Sequence, residues 1–338
     1  MKKFVSLLLA TLMVLSLAAC GAKEQAPAAS TPPAASAPVA ADPAQPYPNK
    51  PVKCIVPFTA GGGTDVIARM MGSLFPTYIG GQSLIVENQA GGASVPGTLA
   101  VATEADEYTL GYSWQAAWTL RQFILDTGYT MDDFTIICGV ELQHNGIFVP
   151  ADSPFQTLQE LVDYAKANPG QLTYSTGPAA SYQELVANAF IDASGMDAYN
   201  IPYEGARQAA LGMLAGDLDF TLLQATTYTS ELSDGSVRML CNFEDETYKE
   251  GVPTIAECGY DGVTFVHRGV VYGPANMSEE AVTKLEAAFK GICEDPTFLK
   301  LAGNSQADIQ FVGHEEITAA TKADAETGKA VVEATWKF

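Results

Sequence analysis

Residues 54–69 read CIVPFTAGGGTDVIAR, a short apolar run, a glycine turn and the opening of a helix. Cys54-Ile55-Val56 suits a strand, and Pro57, which has no N–H to give to a ladder, ends it. Gly61-Gly62-Gly63 then turns the chain. Thr64 and Asp65 are both suited to cap a helix, and Val66, Ile67, Met70, Met71, Leu74 and Phe75 recur at helical spacing until Pro76, where the pattern is expected to stop. Glycine leaves no side chain between backbone and ligand, and the unpaired amides of a first helical turn present partial positive charge, so the expectation is an anion site. The nucleotide versions of such a corner fit poorly. A Walker loop needs Gly-Lys-Ser/Thr where this chain has Thr64-Asp65, and Gly61, Gly63 and Val66 do not complete G-x-G-x-x-G. Taken alone, a glycine turn before a helix serves packing as readily as it serves a ligand.

Outward from this corner, the N-terminus reads as an address. Lys2 and Lys3 precede an apolar run, Phe4 to Leu17, too short to span a bilayer comfortably, and Leu17-Ala18-Ala19-Cys20 has the form of a bacterial lipobox. Residues 1–20 are therefore expected to be a signal ending at a lipidated Cys20, and an ordinary secretory signal is the alternative. Residues 21–46 are nearly all Ala, Pro, Ser and a few polar residues, from which no core can form, so they read as a tether. The expected location is extracytoplasmic, on the outer face of the cytoplasmic membrane or in the periplasm.

The chain from Tyr47 to Phe338 is globular in composition and exceeds the usual size of one core, which predicts two lobes. A formal charge of −21, more negative still once Lys2 and Lys3 leave, argues against nucleic acid and against adsorption on anionic lipid. Cys54, Cys138, Cys241, Cys258 and Cys293 show neither CxxC nor Cys/His ligand spacing, so no metal or other cofactor is expected. They suit buried apolar positions, with one disulfide possible in principle. Strand patterns (83–87, 108–112, 134–138, 146–149, 172–175, 199–203, 219–223, 237–242, 265–272) alternate with helical ones (158–167, 182–194, 206–215, 278–293 and a tail from Glu315). This predicts α/β lobes, each a mostly parallel sheet flanked by helices.

Tyr47-Pro48, Lys50-Pro51, Pro57-Phe58, Gly61-Gly62 and Asp65 resemble the opening of the solute-binding proteins of tripartite tricarboxylate transporters, the Bug family. The family's Val-Glu-Asn-Lys-Pro-Gly-Ala-Gly is similar to Val86–Gly92, and its Val-Pro-Thr-x-x-Glu-x-Gly is similar to Val252–Gly259. The resemblance implies two lobes of the periplasmic-binding-protein type, placed at 47–145 plus 268–338 and at 146–267. It also implies a receptor, not an enzyme, that captures a small carboxylate and hands it to membrane subunits of a transporter. A monomer is expected.

Two further strand-turn-helix corners belong to this site reading. In the first, Ser175, Thr176 and Gly177 lead to Ser181, which is placed to cap the helix 182–194, while Pro178 and Ala180 stand where the family commonly has glycine. In the second, Tyr203, Gly205 and Ala206 lead to Arg207, a first-turn cation that opposes the helix dipole and so suggests a neighbouring anion. Phe58, Thr59, Ala60, Gly61, Gly62, Thr64 and Asp65 are the matching expectation in the opening corner. Trp114 and Gln115, with Trp118, follow a strand end where ligands of open α/β sheets gather; core packing is the alternative for the tryptophans. His267 and Arg268 are placed near the hinge. Gly111-Tyr112-Ser113-Trp114-Gln115 begins like a nucleophile elbow but lacks its second glycine, leaving a hydrolase unsupported. A ligand-binding partner of a sensor kinase would share the same features as a transport receptor.

Overall fold

The structure, a computed structural model, describes residues 46–177 and 181–335. Cys20, most of the tether, Pro178 and Ala180 lie outside the described residues. In chain order the strands are β1 (Val52–Val56), β2 (Leu84–Asn88), β3 (Thr109–Trp114), β4 (Phe134–Gln143), β5 (Asn145–Pro150), β6 (Leu172–Ser175), β7 (Ala198–Asn200), β8 (Phe220–Gln224), β9 (Val237–Asn242), β10 (His267–Pro274) and β11 (Asp308–Val312). The α-helices are α1 (Gly63–Ile79), α2 (Val95–Ala102), α3 (Ala116–Thr119), α4 (Arg121–Ile124), α5 (Leu158–Ala167), α6 (Tyr182–Ser194), α7 (Ala206–Ala215), α8 (Thr229–Asp234), α9 (Glu279–Cys293), α10 (Pro296–Asn304) and α11 (His314–Thr335).

One lobe carries a six-stranded sheet in the order β11-β4-β10-β3-β1-β2, the other a five-stranded sheet in the order β7-β6-β8-β5-β9. Neither is mostly parallel. β1 pairs parallel with β2 and β3, but β10 runs antiparallel to β3 and β4; β6 pairs parallel with β7 and β8, but β5 runs antiparallel to β8 and β9. The reason is the path of the chain. β1, β3, β4, β6, β8 and β9 run toward the cleft, whereas β5 and β10 enter their sheets from it after a crossing and must run the other way.

Apolar clusters sit on both faces of each sheet, and α11 packs on both β4 and α6, so the last helix touches both lobes. The helix α1 differs from its sequence reading at each end. It starts at Gly63 with Gly62 as the N-cap, and it runs through Pro76 to Ile79, where Gly80 closes it at φ 87°. Pro76 costs only the donor for the Gly72 carbonyl, while the buried Phe75, 5.5 Å from Phe289, holds that turn onto α9. All five described cysteines are free thiols, and burial pushes Cys54 and Cys293 up to about 12.

Candidate functional site

The opening corner is built around Asp65, which is 2% exposed. It accepts hydrogen bonds from the Gly61 amide at 2.8 Å, Asn88 Nδ2 at 2.8 Å and Arg69 Nε at 3.0 Å, and pairs with Arg69 Nη2 at 2.9 Å. Burial alone would raise its carboxyl pKa; the bonds from Arg69, Gly61 and Asn88 outweigh that and hold it below the ordinary value. Asp65 therefore clamps the turn. The turn itself depends on Gly61, at φ 81°; Gly62 is extended at φ −74°.

The two corners of the second lobe lie against each other. The Tyr203 amide donates to the Gly177 carbonyl at 3.0 Å, and a Cβ on Gly177, whose φ is 81°, would meet the Ala206 backbone at 3.3 Å. Glycine is needed there for close approach as well as for conformation. The Ser181 hydroxyl accepts from the Glu184 amide at 3.2 Å, capping α6 as its spacing predicts. Ser175 is fully buried and accepts from the Gly177 amide, so it shapes the loop.

Two cavities open between the lobes. The smaller, ≈ 300 Å³, is lined by Phe58, Trp114, Thr176, Ser181 and Ala206 among others; the larger, ≈ 570 Å³, is lined by Gly63, Thr64 and Trp114 among others. Trp114, Gln143 and Gln224 form the wall common to both, and the Trp114 indole is fixed by donating to Thr64 Oγ1 at 3.1 Å. Thr59, Ala60 and Gly61 are exposed and line neither.

Gln115, Trp118, Tyr203, Gly205 and Arg207 also line neither cavity. Gln115 is 1% exposed and donates to Asp324 of α11, and Trp118 is buried edge-on against Phe134 and Tyr272, so burial decides for core packing at both. Tyr203 packs over Gly212, where an added Cβ would meet its hydroxyl at 2.5 Å, and Gly205 is the N-cap of α7. Arg207 binds Glu231 at 2.7 Å and the Thr227 carbonyl at 3.0 Å. The anion that its first-turn position calls for is thus Glu231, inside the same lobe.

Residues 68–335 match the family described as tripartite tricarboxylate transporter family receptor. The chain belongs to that family. Similar proteins include a UPF0065 protein of Cupriavidus necator, 28% identical over 296 residues that cover 86% of this chain and 89% of that one. Among solved structures, a TctC solute-binding protein from Polaromonas, determined without ligand, superposes with TM-score 0.79 at 25% identity, covering 85% of this chain and 99% of that one. MatC from Rhodopseudomonas palustris, solved with bound malate, has the same fold, with TM-score 0.67 at 20% identity over 85% of this chain and 100% of that one.

Within this transporter receptor, the sequence reading missed three kinds of wall in the smaller cavity. Ser94, the N-cap of α2, lines it with a left-handed φ of 70° and follows Ala93 at 54°; neither residue type signals such a backbone. Tyr182 stacks on His267 with ring centroids 3.9 Å apart, bringing the start of α6 onto the first residue of β10. Arg121 reaches the cavity from α4, a four-residue helix too short to leave a periodic pattern. Among the described residues of the receptor no His/Cys/Asp/Glu group could hold a metal, and no helix is long and apolar enough to cross a membrane.

Proposed function

We propose that this chain is an extracytoplasmic receptor that closes two lobes on a small carboxylate and delivers it to the membrane subunits of its transporter. One observation carries the reading. In a chain of formal charge −21, the smaller cavity is lined by a cation, Arg121, and, among the described residues, by no Asp or Glu. Three helix starts also meet it: Ser94 before α2, Ser181 before α6 and Ala206 at the head of α7. Local donors and dipoles of this kind favour an anion that the overall field repels. Malate bound to MatC supports the carboxylate class.

The cavity's histidine supports binding without covalent chemistry. Burial, with the nearby Arg121 charge, pushes the His267 pKa down to about 3, and its Nδ1 faces the amide oxygen of Gln143 at 2.9 Å instead of a carboxylate. Such an imidazole is a weak base for activating Ser113. A panel of di- and tricarboxylates, acidic amino acids and aromatic acids should yield a ligand that adds about 2.7 kcal/mol of stability at 100 times its Kd, read by thermal unfolding. Turnover of a panel member would favour the hydrolase instead, and a flat response to every acid would overturn the receptor reading.

We also propose that the receptor is tethered through lipid on Cys20, with residues 21–46 as the link and a monomeric binding unit. Cys20→Ala is expected to release the protein from membranes with its ligand affinity unchanged. Wild-type protein recovered from the medium, cleaved elsewhere and carrying no lipid, would refute the anchor.

A further inference from the structure

The sequence contains five arginines, and four of them have partners: Arg69 with Asp65, Arg207 with Glu231, Arg238 with the Phe155 and Ala151 carbonyls, and Arg268 with Gln310. Arg121 is different. It is half-buried at the wall of the smaller cavity, and among the described residues no acceptor or carboxylate meets its guanidinium. A guanidinium shielded from water with five donors unused is a strong recognition element for a carboxylate.

The same cavity holds unpartnered neutral groups. Ser113 Oγ and His267 Nε2 are buried without a hydrogen-bond partner among the described residues, and both residues line it. His267 presents an edge, because Tyr182 covers one face at 3.9 Å and Trp114 approaches at 5.0 Å. With Nδ1 donating to the Gln143 Oε1 acceptor at 2.9 Å, the neutral ring carries its proton there and leaves Nε2 as a lone pair. The complement to that lone pair is a ligand donor, and a hydroxyl fits better than an ammonium, which the neighbouring Arg121 charge would repel.

We propose that Arg121 and His267 set the receptor's selectivity for a hydroxy-dicarboxylate, with a second carboxylate against Arg121 and the hydroxyl donating to His267 Nε2. This rests on the carboxylate-receptor reading above and narrows it.

Titration calorimetry of the full chain with malate, succinate and lactate tests it, since the three differ by one hydroxyl or one carboxylate. Wild-type protein should bind malate about 3- to 10-fold tighter than succinate and about 10- to 100-fold tighter than lactate, the ranges for a neutral and a charge-assisted hydrogen bond. Arg121→Gln should bring malate down to the lactate level while changing lactate less than about 3-fold. Arg121→Lys, which keeps the charge and guards against a folding defect, should hold malate above that level. His267→Phe preserves a stacking ring and should erase the preference for malate over succinate. Lactate bound as tightly as malate by the wild type, or malate undiminished in Arg121→Gln, overturns the selectivity proposal and leaves a carboxylate receptor standing. Failure of the wild type to bind all three probes overturns this proposal, and the wider acid panel then decides the receptor reading separately.

Discussion

Asp65→Ala is expected to lower unfolding stability by about 3 kcal/mol and to reduce carboxylate affinity at least tenfold, the loss that follows when one partner is removed from a buried charge pair. The side chain closes the Pro57–Gly63 turn through Gly61, Asn88 and Arg69, tying α1 to β2 as well as to its own loop. Without it the Gly61 amide and Asn88 Nδ2 each lose an acceptor. Arg69, whose side chain is 52% exposed, recovers water, which keeps the cost at the low end of the range for buried pairs. Binding suffers because Phe58 and Thr64 flank the released turn and line the two cavities, and Thr64 Oγ1 holds Trp114. The sign with pH follows from a folded-state pKa held below the ordinary value. The contribution is complete above the unfolded carboxyl pKa and is lost as pH falls through the depressed one. Urea unfolding and calorimetric titration of the variant check both halves; native stability together with native affinity would show that Asp65 clamps nothing.

A second large effect is expected at the hinge, on alkaline pH. His144 occupies the crossing between β4 and β5, with Nε2 at 2.8 Å from Asp308 and Nδ1 at 3.7 Å from the fully buried Glu244; the Tyr248 ring lies 4.6 Å from its own. Asp308 belongs to the first lobe's edge strand and Glu244 follows the second lobe's last strand, so one imidazolium joins both lobes at their first crossing. Burial disfavours its charge, but the bond to Asp308 and the charges of Asp308 and Glu244 prevail and raise its pKa from 6.5 to about 9. A raised pKa means that the folded state holds the proton more tightly. The stabilisation is complete below pH 6.5 and is lost as pH rises through about 9, about 3 kcal/mol in all. His144→Gln should be less stable than the wild type at pH 6.5, and the gap should close by pH 10. A gap that stays constant across that window, measured by urea unfolding at each pH, would show that His144 remains neutral.

Local order was legible in the chain because it is written in neighbouring residues. The spans of β6, β9, α5, α6 and α7 follow from periodicity and punctuation alone, and Ser181 caps α6 where its spacing puts it. The family was legible too, since the Tyr47–Asp65 and Val252–Gly259 motifs are contiguous. What the sequence by itself determined, then, is an α/β chain of receptor type with corners at Gly61–Thr64, Ser175–Ser181 and Tyr203–Ala206. Strand direction was beyond it, because whether β5 and β10 run with or against their neighbours depends on which lobe the chain has just left. The roles of charged side chains were likewise decided in three dimensions. Asp65 and Arg207 look alike in sequence, each an ionisable residue in a first helical turn, yet Asn88 and Arg69 absorb one and Glu231 absorbs the other. Arg121 carries no local signal at all. It stands out only because the fold brings every other arginine to an acceptor and leaves this one at the wall of a cavity that no described carboxylate lines. A charge acts through its surroundings in space, and those come from distant segments that only the folded chain brings together.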